Sequence, residues 1–241
     1  MHRPFVISHR TQMGTMPENT LAGIDAAIAG GADGVEIDVR ATADGELVLL
    51  HDASLARTTD GGDRELSEVT RAELRGVRVL DRQGQVGPQP VPTLAETLER
   101  VDGRVLLVIE LKEQGLEDRV ASLVRARGAA RWCWIWAFDP TVVTASRAAL
   151  PEVPAWLNFS EGSRARFGDE DPLEFATRVG AAGVSLHHEL VTSELVGRAR
   201  RGGLLVATWT VNEAADLARV RDAGVDAICG DFPDRTIAAL S

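Results

Sequence analysis

The sequence predicts an α/β fold of the (β/α)8 barrel class. Short runs rich in Val, Ile, Leu and Trp alternate with longer helical patterns, the signature of repeated βα units around a parallel sheet. Eight strand candidates and eight helix candidates can be placed in alternation, which suits a closed barrel better than an open sheet. The length of 241 residues exceeds the roughly 150 of a typical domain, yet barrels fill it as one domain.

Taken in order, a strand is expected over 5–9, a helix over 19–29 and a second strand over 34–39. An extra apolar run at 47–51 then breaks the rhythm. The residues after it, about 52–92, are rich in Gly, Asp, Arg and Pro and read as a small insertion after strand two. Its end, 84–92, reads as an irregular loop. After a helix over 93–101, strand and helix pairs follow at 105–111 and 117–127, 132–136 and 141–150, and 154–159 and 172–179. The last pairs are 183–186 and 193–201, 204–210 and 212–223, and 227–229 and 235–240. Gly31, Gly180 and Gly224 each stand where a helix stops before a strand, the C-cap position that favours a residue tolerant of positive φ. A single domain over 1–241 is expected.

The composition, 44% hydrophobic and 26% charged, is that of a globular protein with ample core material. A net charge of −10 excludes a broadly basic nucleic-acid surface and opposes stable association with an anionic bilayer. No run approaches the ~18 apolar residues of a membrane span, and the N-terminal residues lack a signal-like apolar stretch. A water-soluble, cytoplasmic protein is therefore expected. Cys133 and Cys229 are too few for a disulfide framework or a thiolate metal site and read as buried core.

The chemistry concentrates at strand ends. In Val35-Glu36-Ile37-Asp38-Val39 the apolar residues share one face and the two carboxylates the other. Val105, Leu107, Ile109 and Leu111 likewise oppose Leu106, Val108, Glu110 and Lys112; Ile7 shares a face with His9, and Leu49 with His51. Three carboxylates in one barrel mouth would repel one another, and a hard divalent cation such as Mg²⁺ or Ca²⁺ relieves that cost. Zinc is disfavoured because no His/Cys cluster accompanies them. The competing account is ion pairing to Arg10 and Lys112 alone. A site of three carboxylates, one divalent cation, a phosphodiester and those two cations is neutral, so it can close without a bare charge. His9 and His51 beside such a site can serve as general acid and base near neutral pH. His187 and His188 read as rim residues, and His2 as having no specific role.

The blocks His9-Arg10, Pro17-Glu18-Asn19-Thr20, Gly34 to Val39, His51-Asp52, Arg57-Thr58-Thr59 with Asp60-Gly61, Glu110-Leu111-Lys112, Trp209 to Asn212 and Asp231 to Asp234 resemble, in order, the glycerophosphodiester phosphodiesterase family. The resemblance spans nearly the whole chain. It implies a TIM barrel with a small insertion after strand two. It implies metal-assisted hydrolysis of glycerophosphodiesters to an alcohol and sn-glycerol 3-phosphate. By that resemblance Glu36, Asp38 and Glu110 match metal ligands for one cation (Mg²⁺ or Ca²⁺, with Mn²⁺ also allowed). His9 and His51 match the acid/base pair, Arg10 and Lys112 the phosphate-contacting cations. Trp209 looks like an aromatic wall on the glycerol side, with a barrel-core role as the alternative. Trp132, Trp134, Trp136 and Trp156 read as core, with Trp136 lining the pocket as the alternative.

Two positions depart from the family pattern: Thr11 replaces the usual glycine after His-Arg, and Gly230 a usual threonine. Thr11 is expected to add bulk near the phosphate. The partner is expected to be a small-molecule diester, with the alcohol and the oligomeric state left open. Alternatives are a lysophospholipase-D-like activity, with or without a cyclic phosphate product, and a silent barrel that binds a phosphorylated metabolite.

Overall fold

A computed structural model describes residues 3–166 and 170–241. Eight parallel strands close a ring: β1 (Phe5–Ser8), β2 (Gly34–Ala41), β6 (Leu106–Leu111), β7 (Cys133–Ala137), β8 (Ala155–Phe159), β9 (Gly183–His187), β10 (Leu205–Trp209) and β11 (Ala227–Gly230), which returns to β1. Helices α1 (Leu21–Ala29), α3 (Leu94–Val101), α4 (Glu117–Ala126), α5 (Pro140–Ala149), α6 (Pro172–Arg178), α7 (Ser193–Arg201), α8 (Ala214–Ala223) and α9 (Pro233–Leu240) follow the strands in turn. The fold is the expected TIM barrel.

Strand alternation divides the core in two. Val35, Ile37, Leu107, Ile109 and Ile135 point outward into a large layer under the helices. Ile7, Val108, Trp136, Trp156, Ala207 and Cys229 fill the barrel interior. Trp136 and Trp156 are 2% and 0% exposed, so they are interior packing and not pocket wall. Trp134 stacks on Trp156 at 4.7 Å. Trp132 does not share their face: it lies in a 3-10 turn before β7 and packs on the outer layer. Both cysteines are buried, and burial pushes the Cys133 thiol up to about 12.

Helix ends follow local chemistry. Thr20, Thr93, Asp139, Asp171 and Thr192 cap helix N-termini through their side chains, each cap worth about 1 kcal/mol. Gly31, Gly180 and Gly224 adopt φ of 80°, 70° and 84°, as their positions between helix and strand demand.

The insertion differs from its expected form. The extra run becomes β3 (Leu47–Leu49), antiparallel to β2 and outside the barrel ring. His51 therefore ends no strand; it lies two residues beyond β3. The segment expected as an irregular loop contains β5 (Val86–Pro90), paired with β4 (Arg78–Leu80) and preceded by the short helix α2 (Arg71–Leu74). Alternating residues hid the strand: Val86-Gly-Pro-Gln-Pro90 is half exposed and carries two prolines, which an edge strand tolerates. The insertion and the β3 run bury a separate apolar cluster, including Val48, Leu50, Leu55, Leu66 and Leu74. No helix among the described residues is long and apolar enough to cross a membrane. His2 lies outside the described residues.

Candidate active site

The C-terminal ends of β2 and β6 bring Glu36, Asp38 and Glu110 together, with one carboxylate oxygen from each lying within 4.8 Å of the others. Register explains this: Glu36 pairs with Val108 and Asp38 with Glu110 across adjacent parallel strands, and all three side chains face inward. They are 2%, 1% and 8% exposed.

Each carboxylate is held by named donors. The Arg10 backbone N–H donates to Glu36 at 2.8 Å, and Asn19 donates to Asp38 at 2.8 Å while accepting the Asp38 N–H at 3.0 Å. Asn158 donates to Glu110 at 3.1 Å. Lys112 contacts Glu110 and lies 3.3 Å from Asp38, and Arg10 Nε lies 3.4 Å from Asp38. So Arg10 and Lys112 do pair with the cluster, as ion pairing alone would require.

That pairing leaves the site unbalanced. Burial, followed by the charges of Asp38 and Glu110, pushes Glu36 well above the usual carboxylate range. Asp38, although equally buried, is held below its ordinary value by Lys112 and Arg10. Two cations thus satisfy two carboxylates and leave the third frustrated. A divalent cation on three hard oxygen ligands corrects that imbalance, so the donor set fits Mg²⁺ or Ca²⁺.

Both histidines are braced by aspartates. His9, just past β1, places Nδ1 2.7 Å from Asp231, whose other oxygen accepts from Asn212 at 2.7 Å. Although burial opposes it, Asp231 is held below its ordinary pKa by His9 and Asn212. His51 places Nδ1 2.6 Å from Asp52, and Arg57 holds Asp52 below its ordinary value. Burial lowers the His51 pKa, against the opposing pull of Asp38 and Asp52. An ionised aspartate at Nδ1 favours the tautomer that carries its proton there, which leaves the lone pair on Nε2.

Trp209, at the end of β10, sits one aromatic layer from the cluster. Its ring meets Phe138 edge-on at 5.4 Å, and Lys112 lies 6.0 Å over the Phe138 ring. Trp209 packs partly on the interior core and stays partly exposed. His187 meets Trp209 at 5.3 Å on the rim, as expected.

With this geometry in place, comparison with known proteins is decisive: residues 9–235 match the model of the glycerophosphoryl diester phosphodiesterase family. The chain belongs to that family. It is 28% identical over 242 residues to a glycerophosphodiester phosphodiesterase of Caldanaerobacter subterraneus, covering 98% of this chain and 97% of the relative. A crystal structure of a glycerophosphodiester phosphodiesterase from Agrobacterium tumefaciens superimposes with a TM-score of 0.84 at 27% identity, covering 98% and 99% of the two chains. An Oleispira antarctica phosphodiesterase in complex with the product sn-glycerol-3-phosphate superimposes with a TM-score of 0.82 at 27% identity, covering 98% and 96%.

The departures from the family pattern prove structural. Thr11 was expected to add bulk on the phosphate side, but its side chain packs into the fold and not toward open space. It is fully buried at φ 76°, and its hydroxyl turns beneath α1 to accept the Thr20 N–H at 3.4 Å. A Cβ on Gly23 would lie 2.2 Å from that hydroxyl, so Thr11 and Gly23 are a matched pair. Gly230 is similarly required, because a Cβ there would lie 2.4 Å from the Val211 carbonyl oxygen. Gly23→Ala is expected to lose about 1–3 kcal/mol through this overlap, partly offset by the better helix propensity of Ala. Adding Thr11→Gly removes the hydroxyl and the β-branched residue at positive φ, so the double variant regains stability. Urea denaturation of both variants checks this; a single Gly23→Ala as stable as the parent overturns the pairing.

Glu18, Asn19, Asp52, Arg57, Asn158 and Asp231 were not singled out from sequence as site residues. All but Asn158 lie in the blocks that carry the family resemblance, which was the available signal. They also change the charge count, with Glu18 offsetting Arg57 and Asp231 and Asp52 placing a negative charge behind each histidine.

Proposed function

We propose that this protein hydrolyses glycerophosphodiesters to an alcohol and sn-glycerol 3-phosphate, using a divalent cation at Glu36, Asp38 and Glu110 and proton transfers by His9 and His51. The observation that carries the reading is the carboxylate cluster left short of positive charge beside two aspartate-braced histidines. When bound, Mg²⁺, Ca²⁺ or Mn²⁺ would supply neutralisation and polarise the phosphoryl group.

The residues of the chain do the rest. Arg10 and Lys112, both kept charged by the surrounding carboxylates despite burial, hold the anionic phosphoryl oxygens. His9 takes the proton from the attacking hydroxyl or water. His51 protonates the departing alkoxide. The assignment follows exposure: the His51 side chain is 31% exposed and that of His9 16%, and the alcohol is the part that must leave toward solvent.

A cavity of about 500 Å³ adjoins Glu110 and Lys112 and is lined also by Arg40, Gln114, Phe138 and Ser160. Its polar wall suits a small hydrophilic alcohol. Phe5, Val86 and Leu205 are the exposed large hydrophobics among the described residues, and only Val86 belongs to the insertion. An acyl chain finds no broad apolar patch there. Soluble diesters such as glycerophosphocholine are therefore expected to have a higher kcat/KM than long-chain lysophospholipids under matched metal and salt. A lysophospholipid value at or above that of every soluble diester overturns this and favours the lysophospholipase-D-like reading.

A further inference from the structure

His51 and Asp52 are consecutive residues beyond the end of a short strand, and their side chains are 31% and 32% exposed. The His51 carbonyl accepts from Arg40 at 2.9 Å, but the two side chains lack the support given to His9 and Asp231, which directly follow adjacent barrel strands. The missing rigidity comes from a residue of the insertion. Arg57 donates through Nη1 and Nη2 to the two oxygens of Glu18 at 2.8 Å each, and through Nε to Asp52 at 2.5 Å. Glu18 is only 9% exposed and also lies 3.3 Å from Arg10. Three donors of one planar guanidinium are thus fixed by two carboxylates, a geometry that a flexible ammonium cannot copy.

We propose that Arg57, anchored by Glu18, is a positioning residue that fixes the Asp52–His51 pair for proton delivery to the departing alcohol. Stability alone is a poor reason for this arrangement, because ion pairs as exposed as Arg57–Asp52 contribute little. The inference rests on the assignment of His51 as the acid, and the test separates the two.

The experiment compares glycerophosphocholine, whose alkoxide needs a proton, with glycerol 3-phospho-4-nitrophenol, whose phenolate leaves without one. Arg57→Ala is expected to lower kcat on the choline ester about 10–100-fold with KM little changed, and to change the nitrophenyl rate by no more than about threefold. Arg57→Lys should resemble Arg57→Ala. Glu18→Gln, which removes the anchor and keeps Arg57, provides a second route and should show the same selectivity with a smaller loss. Equal losses on both esters, unchanged kcat on the choline ester, or full recovery with lysine overturns the proposal. His51→Ala impaired equally on both esters overturns the acid assignment itself, and a parent protein inactive on both overturns the proposed function.

Discussion

Stripping divalent cations is expected to abolish diester hydrolysis, with activity falling by about 10³-fold or more and returning on addition of Mg²⁺, Ca²⁺ or Mn²⁺. The expectation follows from Glu36, whose burial and carboxylate neighbours leave it short of positive charge even with Arg10 and Lys112 in place. The same imbalance gives Glu36→Gln two effects of opposite sign. Activity and cation binding fall, because a charged oxygen ligand is lost. The metal-free protein becomes more stable, because a raised acid pKa in the folded state marks an ionised form that opposes folding at neutral pH. Calorimetric titration with Mg²⁺ or Ca²⁺ and thermal melting in a chelator read the two effects separately. Full activity in metal-stripped protein, or a Glu36→Gln variant less stable than the metal-free parent, contradicts the account.

Replacing His9 or His51 by alanine is expected to lower kcat by about 10²–10⁴-fold while the barrel remains folded. Neither ring belongs to the apolar clusters of the core, so circular dichroism and melting should change little. The variants should differ in what restores them. His51→Ala should recover much of its rate on the nitrophenyl ester, since that leaving group needs no proton. His9→Ala should stay impaired on both esters, because the attacking group must still lose one. Wild-type turnover by either variant refutes its role in proton transfer.

Much of this was legible because strand periodicity and side-chain chemistry point the same way. Glu36 and Asp38 stand two apart on one apolar strand, and Glu110 and Lys112 two apart at the end of another. Period two turns each pair inward, and the register of the adjacent strands brings the three carboxylates together. His51 was harder to place, since Leu47–Leu49 carries the same apolar signal whether it joins the ring or folds back on β2. Thr11 was misplaced for a different reason. Its direction is set by left-handed backbone at Arg10 and Thr11, which turns the Thr11 side chain under α1 and leaves no mark in the residue pattern. The bracing partners were invisible to periodicity: Glu18 with Arg57, and His9 with Asp231, are separated by 39 and 222 positions, and only closure of the chain joins them.

The insertion packs with the β3 run around an apolar cluster separate from the barrel core, and Arg57 reaches the site from it. Under the proposed assignments, binding and turnover then have different structural owners. The carboxylates, Arg10, Lys112 and His9 all stand on the barrel or its first loop, so the barrel by itself carries what is needed to hold a cation and a phosphodiester. Delivery of the final proton depends also on the insertion, whose Arg57 holds Asp52 beside His51. A change confined to the insertion would then slow release of the alcohol while cation and diester binding stayed with the barrel.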